Sequence, residues 1–234
     1  MRELELVPLG ARSDLDEAFA RSLRSCYGAH GVATAATPLP QSQREQVQLV
    51  VVRDARGALC GGARIHAKRG MSGFPAERAL AAFPQLYMRF AALARNGSVE
   101  LAAMWTVPEA KRTGVARLLA QAAMATAITL GKRTVLTFSH QHFEHVLFPI
   151  GMRPLRGVAP VAFPTAAYRS RVYTAELSSL RDATSEDRDL IREIAARFSA
   201  GAAAVSLHQL AEIEFGQPSL TIRTGGAPLR RAVS

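Results

Sequence analysis

The stretch Trp105-Thr-Val-Pro-Glu-Ala-Lys-Arg-Thr-Gly-Val-Ala-Arg-Leu-Leu119 carries the most readable chemistry in the chain. An apolar strand stops at Pro108, a short polar turn follows, and Gly114 opens a long helix rich in Ala and Leu. Such a helix start leaves backbone N–H groups without intrahelical partners, aimed where phosphate oxygens bind. Gly114 lets a ligand approach the backbone, Ala116 keeps the first turn thin, and Lys111 and Arg112 add positive charge at the same edge. No Gly-Lys-Ser/Thr closes the turn, so it is not a P-loop. A second group is Ser139-His140-Gln-His142-Phe-Glu144-His145. His142 and His145 would share one helical face, as metal ligands can, but no matching Asp, Cys or His motif stands elsewhere, and no metal site is expected. Cys60 has no flanking base, so it reads as a small buried thiol rather than a nucleophile.

The elements that must position these residues follow from hydrophobic spacing. Residues 4–7 alternate as a short strand, and Ser13 with Asp16 forms a capping-box pattern before Leu15, Phe19, Leu23 and Cys26 at helical spacing. Residues 28–46 are polar, contain Pro38 and Pro40, and read as a loop or lid. Residues 48–53 and a strand ending at Ile65 and His66 form a hairpin around the turn 54–57. A helix is predicted over 83–95, with Pro84 in its first turn and Asn96-Gly97 as its stop. A strand over 99–107, a helix over 114–130, a strand over 133–138, a short helix to about residue 148 and a last strand over 171–177 complete the core. Strand, helix, strand in the middle suggests a parallel crossover flanked by antiparallel hairpins. Thr184 with Asp187 caps a further helix to Phe198, a short helix is expected over 207–215, and 216–234 reads as flexible.

Composition sets the bounds. The 234 residues suffice for one sizeable domain with a short extension, and 48% apolar with 21% charged residues is ordinary for a folded protein. The N-terminus lacks the basic-then-apolar order of a signal peptide and no long apolar window occurs, so a cytoplasmic protein without a membrane span is expected. The 29 Lys and Arg against 19 Asp and Glu favour polyanionic partners: a polyphosphate cofactor, an acidic carrier protein or nucleic acid. Nucleic-acid reading is disfavoured, because no long basic run interleaves with aromatics, which make up 6% of the chain.

Lys111-Arg112-Thr113-Gly114-Val115-Ala116 resembles the acyl-CoA pyrophosphate loop of the GNAT superfamily, whose pattern is Gln or Arg, two residues, Gly, one residue, then Gly or Ala. Lys in the first place is a departure. The preceding Trp105-x-Val107-Pro108 strand end, the Ala-rich helix and Gly151-Met152 where the family has Gly-Phe extend the likeness over about residues 47–177. The resemblance implies an α/β (α+β) GNAT fold: a mixed, mostly antiparallel sheet, splayed where the strands ending at Val107 and Phe138 part to admit pantetheine, with helices on both faces. Beyond Ser178 the character of the chain changes, which divides it into a domain over 1–178, a helical extension over 179–215 and a flexible tail over 216–234. The resemblance also implies acyl-CoA or an acyl carrier protein as donor, held by Trp105, Thr106, Val107, Lys111, Arg112, Thr113, Gly114, Val115, Ala116 and Arg117. Gly61-Gly-Ala-Arg64-Ile-His66, Phe83-Pro-Gln-Leu86 and Val99-Glu-Leu101 are similar to acyl-homoserine-lactone synthases and N-acyl amino acid synthases. The lactone synthases carry Arg three residues after that Glu. Ala103 stands there, which favours an N-acyl amino acid synthase or another amine acyltransferase over lactone formation.

Amine acylation needs a deprotonated nucleophile, and the resemblance points to Glu100 as base, directly or through water; a surface ion pair is its other reading. A backbone N–H near 105–107 would polarise the thioester carbonyl. The Tyr that many GNAT enzymes use as general acid is replaced by Leu147, so either the thiolate leaves unaided or a nearby His such as His142 substitutes. Arg64 and His66 would meet the acceptor's carboxylate or else face solvent, and Phe83, Leu86, Phe90, Phe138 and Phe143 would line an acyl channel or form core. The expected partner is a small-molecule amine, for a monomer or homodimer. The rival readings are a catalytically silent acyl-CoA sensor, a lactone synthase and a basic nucleic-acid module.

Overall fold

The computed structural model describes residues 2–36, 39–68, 73–94, 97–207 and 220–222. Strand β1 (Arg2–Pro8) pairs antiparallel with β2 (Val47–Arg53), and β2 with β3 (Leu59–Ala67). The run Val-Val-Val in β2 is buried on both faces, as a central strand requires. Between β1 and β2, helix α1 (Ser13–Ala29) buries Leu15, Phe19 and Leu23, one apolar stripe at i, i+4, i+8. The capping box is not formed. The N-cap is Arg12, and Asp16 reaches back instead to accept from the Gly10 N–H at 2.8 Å. The expected loop 28–46 holds one 3-10 turn at Ala33–Ala35 and the single-turn α2 (Gln41–Arg44).

Helix α3 (Pro75–Leu80), too short for a periodic signal, precedes α4 (Pro84–Leu93), each with Pro in its first turn. Residues 95 and 96, the expected end and stop of the second of these, lie outside the described residues. Strand β4 (Ser98–Thr106) runs antiparallel to β3 and leads into α5 (Val115–Thr129). Eleven residues of α5 are buried, and its many alanines let it lie close on the sheet. Gly61 and Gly62 of β3 make that closeness possible on both faces. A Cβ at Gly61 would sit 2.8 Å from Trp105 O and 3.0 Å from Val115, and one at Gly62 2.6 Å from the Phe19 ring.

After α5 come β5 (Thr134–His140), α6 (Glu144–Leu147), β6 (Arg153–Pro154), β7 (Val161–Ala162) and β8 (Arg169–Glu176). The capped helix expected at Thr184 is α7 (Ser185–Ser199), with Thr184 Oγ1 accepting from the Asp187 N–H. Strand β9 (Ala204–Leu207) then pairs with β1, and β10 (Leu220–Ile222) with β9. Leu207, expected to open a helix, ends a strand; residues 208–215, with 216–219 and 223–234, lie outside the described residues. The sheet order is β10-β9-β1-β2-β3-β4-β5-β8-β6, with β7 on β8, and the β4–β5 pair is parallel among antiparallel neighbours. Helices α5 and α7 cover one face, burying Leu119, Ile191, Ile194 and Phe198 with Ile65 and Val99. The other face carries α1 over Trp105 and α3 with α4 over Leu136 and Val172. The sheet is therefore mixed, mostly antiparallel and covered by helices on both faces, as expected, while the C-terminal extension adds strands as well as a helix.

Candidate active site

Strands β4 and β5 pair at Ser98–Thr134, Val99–Val135 and Glu100–Leu136, and pairing stops there. Opposite β3 the register of β4 shifts between Gly62–Trp105 and Arg64–Ala102, leaving Ala103 at φ 51°. A bulge of this kind bends a strand and re-aims its backbone groups. The two strands part beyond Glu100 and Leu136, and a cleft opens between them, lined by Leu101, Ala103, Met104, Thr137, Phe138 and Phe143, with Tyr27 of α1 at its side.

Beyond the bulge the polarity of β4 can be read from its partners. The Val107 N–H donates to Cys60 O at 2.9 Å, so alternation turns the backbone groups of Trp105 and Val107 to β3 and those of Met104 and Thr106 to the opened side. There the Tyr27 hydroxyl donates to Met104 O at 3.5 Å and the Cys26 thiol to Thr106 O at 3.4 Å.

At the top of the cleft, Arg112 and Gly114 take left-handed conformations, φ 62° and 78°. Arg2 donates to Thr113 O at 2.9 Å, and Thr113 Oγ1 to Ala110 O at 2.7 Å, so side chains hold the loop by its carbonyls. Leu118 is the first residue of α5 to bond back, to Gly114 O, which leaves the amides of Val115, Ala116 and Arg117 facing outward from the helix start. Alternating backbone conformations before a helix N-terminus make a concavity suited to phosphate. Lys111 and Arg112 are exposed beside it.

Two of the expected cofactor side chains turn elsewhere. Trp105 is buried edge-on against Phe19, with ring centroids 5.7 Å apart, and only its backbone belongs to the strand end. The Arg117 guanidinium makes a two-pronged pair with Asp187, Nε to Oδ1 at 2.8 Å and Nη2 to Oδ2 at 2.7 Å, so its charge is spent on α7. Gln121 and Thr184 complete the shell around that fully buried carboxylate. Burial alone would raise the Asp187 pKa, but the hydrogen bonds from Arg117, Thr184 and Gln121 hold it below the ordinary carboxylate value.

Glu100 lies at the fork, 3% exposed, on the face covered by α3. Both its oxygens accept from the Ala76 N–H, at 3.1 and 3.2 Å. Burial pushes its pKa up to about 8, against the partial relief of that hydrogen bond. The surface ion pair weighed from the sequence is thus absent. His66 stands opposite Glu100 in the β3–β4 register, and burial, then the nearby Arg64 and Arg78 charges, push its pKa down to about 3, so it stays neutral. Arg64 is 9% exposed over the Phe19 ring at 5.3 Å, not solvent-facing. Arg64 Nε, His66 Nε2 and Trp105 Nε1 are buried without hydrogen-bond partners. Such donors are costly unless something else satisfies them.

Of the other expected residues, Phe138 and Phe143 line the cleft, whereas Leu86 and Phe90 are core beneath α3 and α4, with Phe83 half-buried against them. His142 is exposed on the rim, its ring 5.6 Å from His145 and 6.3 Å from His140. Among the described residues no three His, Cys, Asp or Glu side chains gather as metal ligands would. Sequence spacing missed Tyr27, Met104 and Asp187. Tyr27, one turn beyond Leu23, was not singled out beside the apolar stripe of its helix, and Asp187 read only as a cap.

The sequence matches no protein-family profile and no curated protein. Solved structures do resemble it. FeeM, an N-acyl amino acid synthase from uncultured soil microbes, superposes with a TM-score of 0.60 at 12% identity, over 81% of this chain and 98% of that one. BjaI, a CoA-dependent acyl-homoserine lactone synthase solved with SAM and isopentyl-CoA, gives 0.56 at 11% identity over 84% and 90%. TofI, in a complex with an inhibitor and MTA, gives 0.54 at 19% identity over 82% and 98%. The chain has the GNAT fold. This chain brings Glu100 and, opposite it in the β3–β4 register, His66 to the point where β4 and β5 part. Among its described residues no helix is long and apolar enough to cross a membrane.

Proposed function

We propose that this protein is an N-acyltransferase that moves an acyl group from a phosphopantetheine thioester, on CoA or an acyl carrier protein, to the amine of a small carboxylate-bearing acceptor such as an amino acid. The observation that carries this is the parting of β4 and β5 at Glu100 and Leu136, directly below a loop whose amides open at the start of α5. The diphosphate would lie on the amides of Val115 to Arg117 with Lys111 and Arg112 beside it, and the pantetheine arm along the Met104–Thr106 edge. Acyl groups would enter the cleft between Leu101, Phe138 and Phe143.

The acceptor would come from the α1 and α3 face. The buried, unpartnered Arg64 Nε offers a donor for its carboxylate, a group that guanidinium binds well. Glu100, ionised once pH reaches about 8, would take the ammonium proton directly or through water. The amine then attacks the thioester without a covalent enzyme intermediate. FeeM's description as an N-acyl amino acid synthase supports this choice of acceptor, and Ala103 at the bulge, in the place of an Arg, weighs against a lactone.

Two measurements test the proposal. Acetyl-, octanoyl- or palmitoyl-CoA should raise the melting temperature, since a ligand of the native state stabilises it. Thiol release from the stabilising thioester should then depend on an added amino acid. Stabilisation without thiol release from any amine would leave a silent acyl-CoA sensor, and no stabilisation by acyl-CoA or acyl carrier protein would sink both.

A further inference from the structure

Tyr27 is a side chain of this cleft that the chemistry above leaves unused. It ends the buried stripe of α1, lines the cleft, and puts its hydroxyl 3.5 Å from Met104 O, the long limit of a hydrogen bond. A donor held so weakly is free to turn to a better acceptor. The Met104 backbone faces the same side of β4, because alternation fixes Trp105 and Val107 toward β3, so the Met104 N–H and the Tyr27 O–H lie on the same side of the strand. That side borders the bulge at Ala103, where the strands have just parted.

We propose that Tyr27 is a catalytic hydrogen-bond donor, which with the Met104 N–H holds the thioester carbonyl oxygen as the amine adds to it. Tyr27 acts in this way only if the chain transfers acyl groups as proposed above. The amine lone pair forms the C–N bond, and the carbonyl π pair moves to oxygen, where the two donors stabilise it. Collapse restores C=O and breaks the C–S bond; Glu100 already holds the ammonium proton, so the second proton on nitrogen passes through solvent to the departing sulfur, which leaves as the thiol. No proton leaves Tyr27. Burial, the larger effect against the nearby Arg64 charge, pushes its pKa up to about 12, so the phenol stays a neutral donor at every working pH. A thiol ionises near about 8.5, so handing a proton to the departing sulfur would be uphill for this phenol. Donation without transfer is the role that fits. The neighbouring Cys26 thiol, itself raised by burial, contributes no charge there.

The test is Tyr27→Phe in the full chain. With the acyl-CoA that stabilises the wild type, the variant should show the same melting shift and the same KM for the thioester, but kcat lower by about 10²-fold or more, the usual loss for one oxyanion donor. Carbonyl-labelled acyl-CoA read by isotope-edited infrared should show its thioester band at lower frequency on the wild type than free, and move back toward the free value on the variant. Unchanged kcat and an unchanged band would overturn the proposal, as would a rise in KM alone. Should Tyr27→Phe fail to melt cooperatively, fluorotyrosine at position 27 decides: its stronger donor should lower the band further, and no change overturns the assignment. If neither acyl-CoA nor acyl carrier protein stabilises the wild type, the acyltransferase reading itself has failed, an outcome distinct from a silent Tyr27.

Discussion

Glu100 ties protonation to both stability and rate. Its pKa in the fold lies near 8, above the ordinary value of 4.5, so the folded protein holds a proton that the unfolded chain releases between those two values. Its contribution to stability is present below about pH 4.5 and is lost as pH rises through about 8. Glu100→Gln keeps the shape of the protonated form. The variant should therefore gain on the wild type in melting temperature as pH is raised across that window, while losing about 10²-fold or more in kcat. Wild-type activity should climb toward pH 8. A wild-type rate that is flat from pH 6 to 9, or a variant whose stability advantage does not grow with pH, would remove Glu100 as the base. The sequence could offer Glu100 because alternation along β4 set it apart from Val99 and Leu101. It could not tell which face was closed, since that depends on α3, whose six residues leave no periodic trace.

At the scale of elements, the contact between α5 and α7 is the polar joint of the molecule. Asp187 is fully buried and receives Arg117, Gln121 and Thr184. Asp187→Ala strands Gln121 and leaves Arg117 a third exposed and unpaired, so a loss of about 3 kcal/mol is expected from denaturant unfolding, the low end for breaking a buried pair. The pH dependence runs opposite to that of Glu100. Because the folded pKa of Asp187 is depressed, its contribution is present at neutral pH and lost as pH falls into the acid range. A variant as stable as the wild type at pH 7 would show the joint to be ornamental. Thr184 and Asp187 were legible as a cap from their spacing. The same Asp serving a second helix was not, because pairing across 70 residues leaves no mark in local pattern.

The whole molecule depends on chain beyond residue 178. Helix α7 buries Leu190, Ile191, Ile194 and Phe198 in the same core as α5. At about 1.5–3 kcal/mol for each large buried side chain, the four are worth on the order of 6–12 kcal/mol, comparable with the about 5–15 kcal/mol of a whole domain. A chain ending at Ser178 should show no cooperative melt by circular dichroism; a transition near that of the full chain would refute this. The central crossover was legible because a strand, a glycine-opened helix and a strand of distinct periods follow one another. The return of the chain to the first strand was not, since β9 is four residues long and its meaning lies in its partner.

That return has a consequence for biosynthesis. One side of β1 is satisfied as soon as β2 follows it, but the other waits for residues 204–207. At roughly 5–20 residues per second, the nascent protein spends on the order of ten seconds or more with a bare row of N–H and C=O groups on β1, the kind of edge that recruits foreign strands. An acidic residue, Glu3, lies on that strand, and charge of this sort repels a stray partner while the proper one is still on the ribosome.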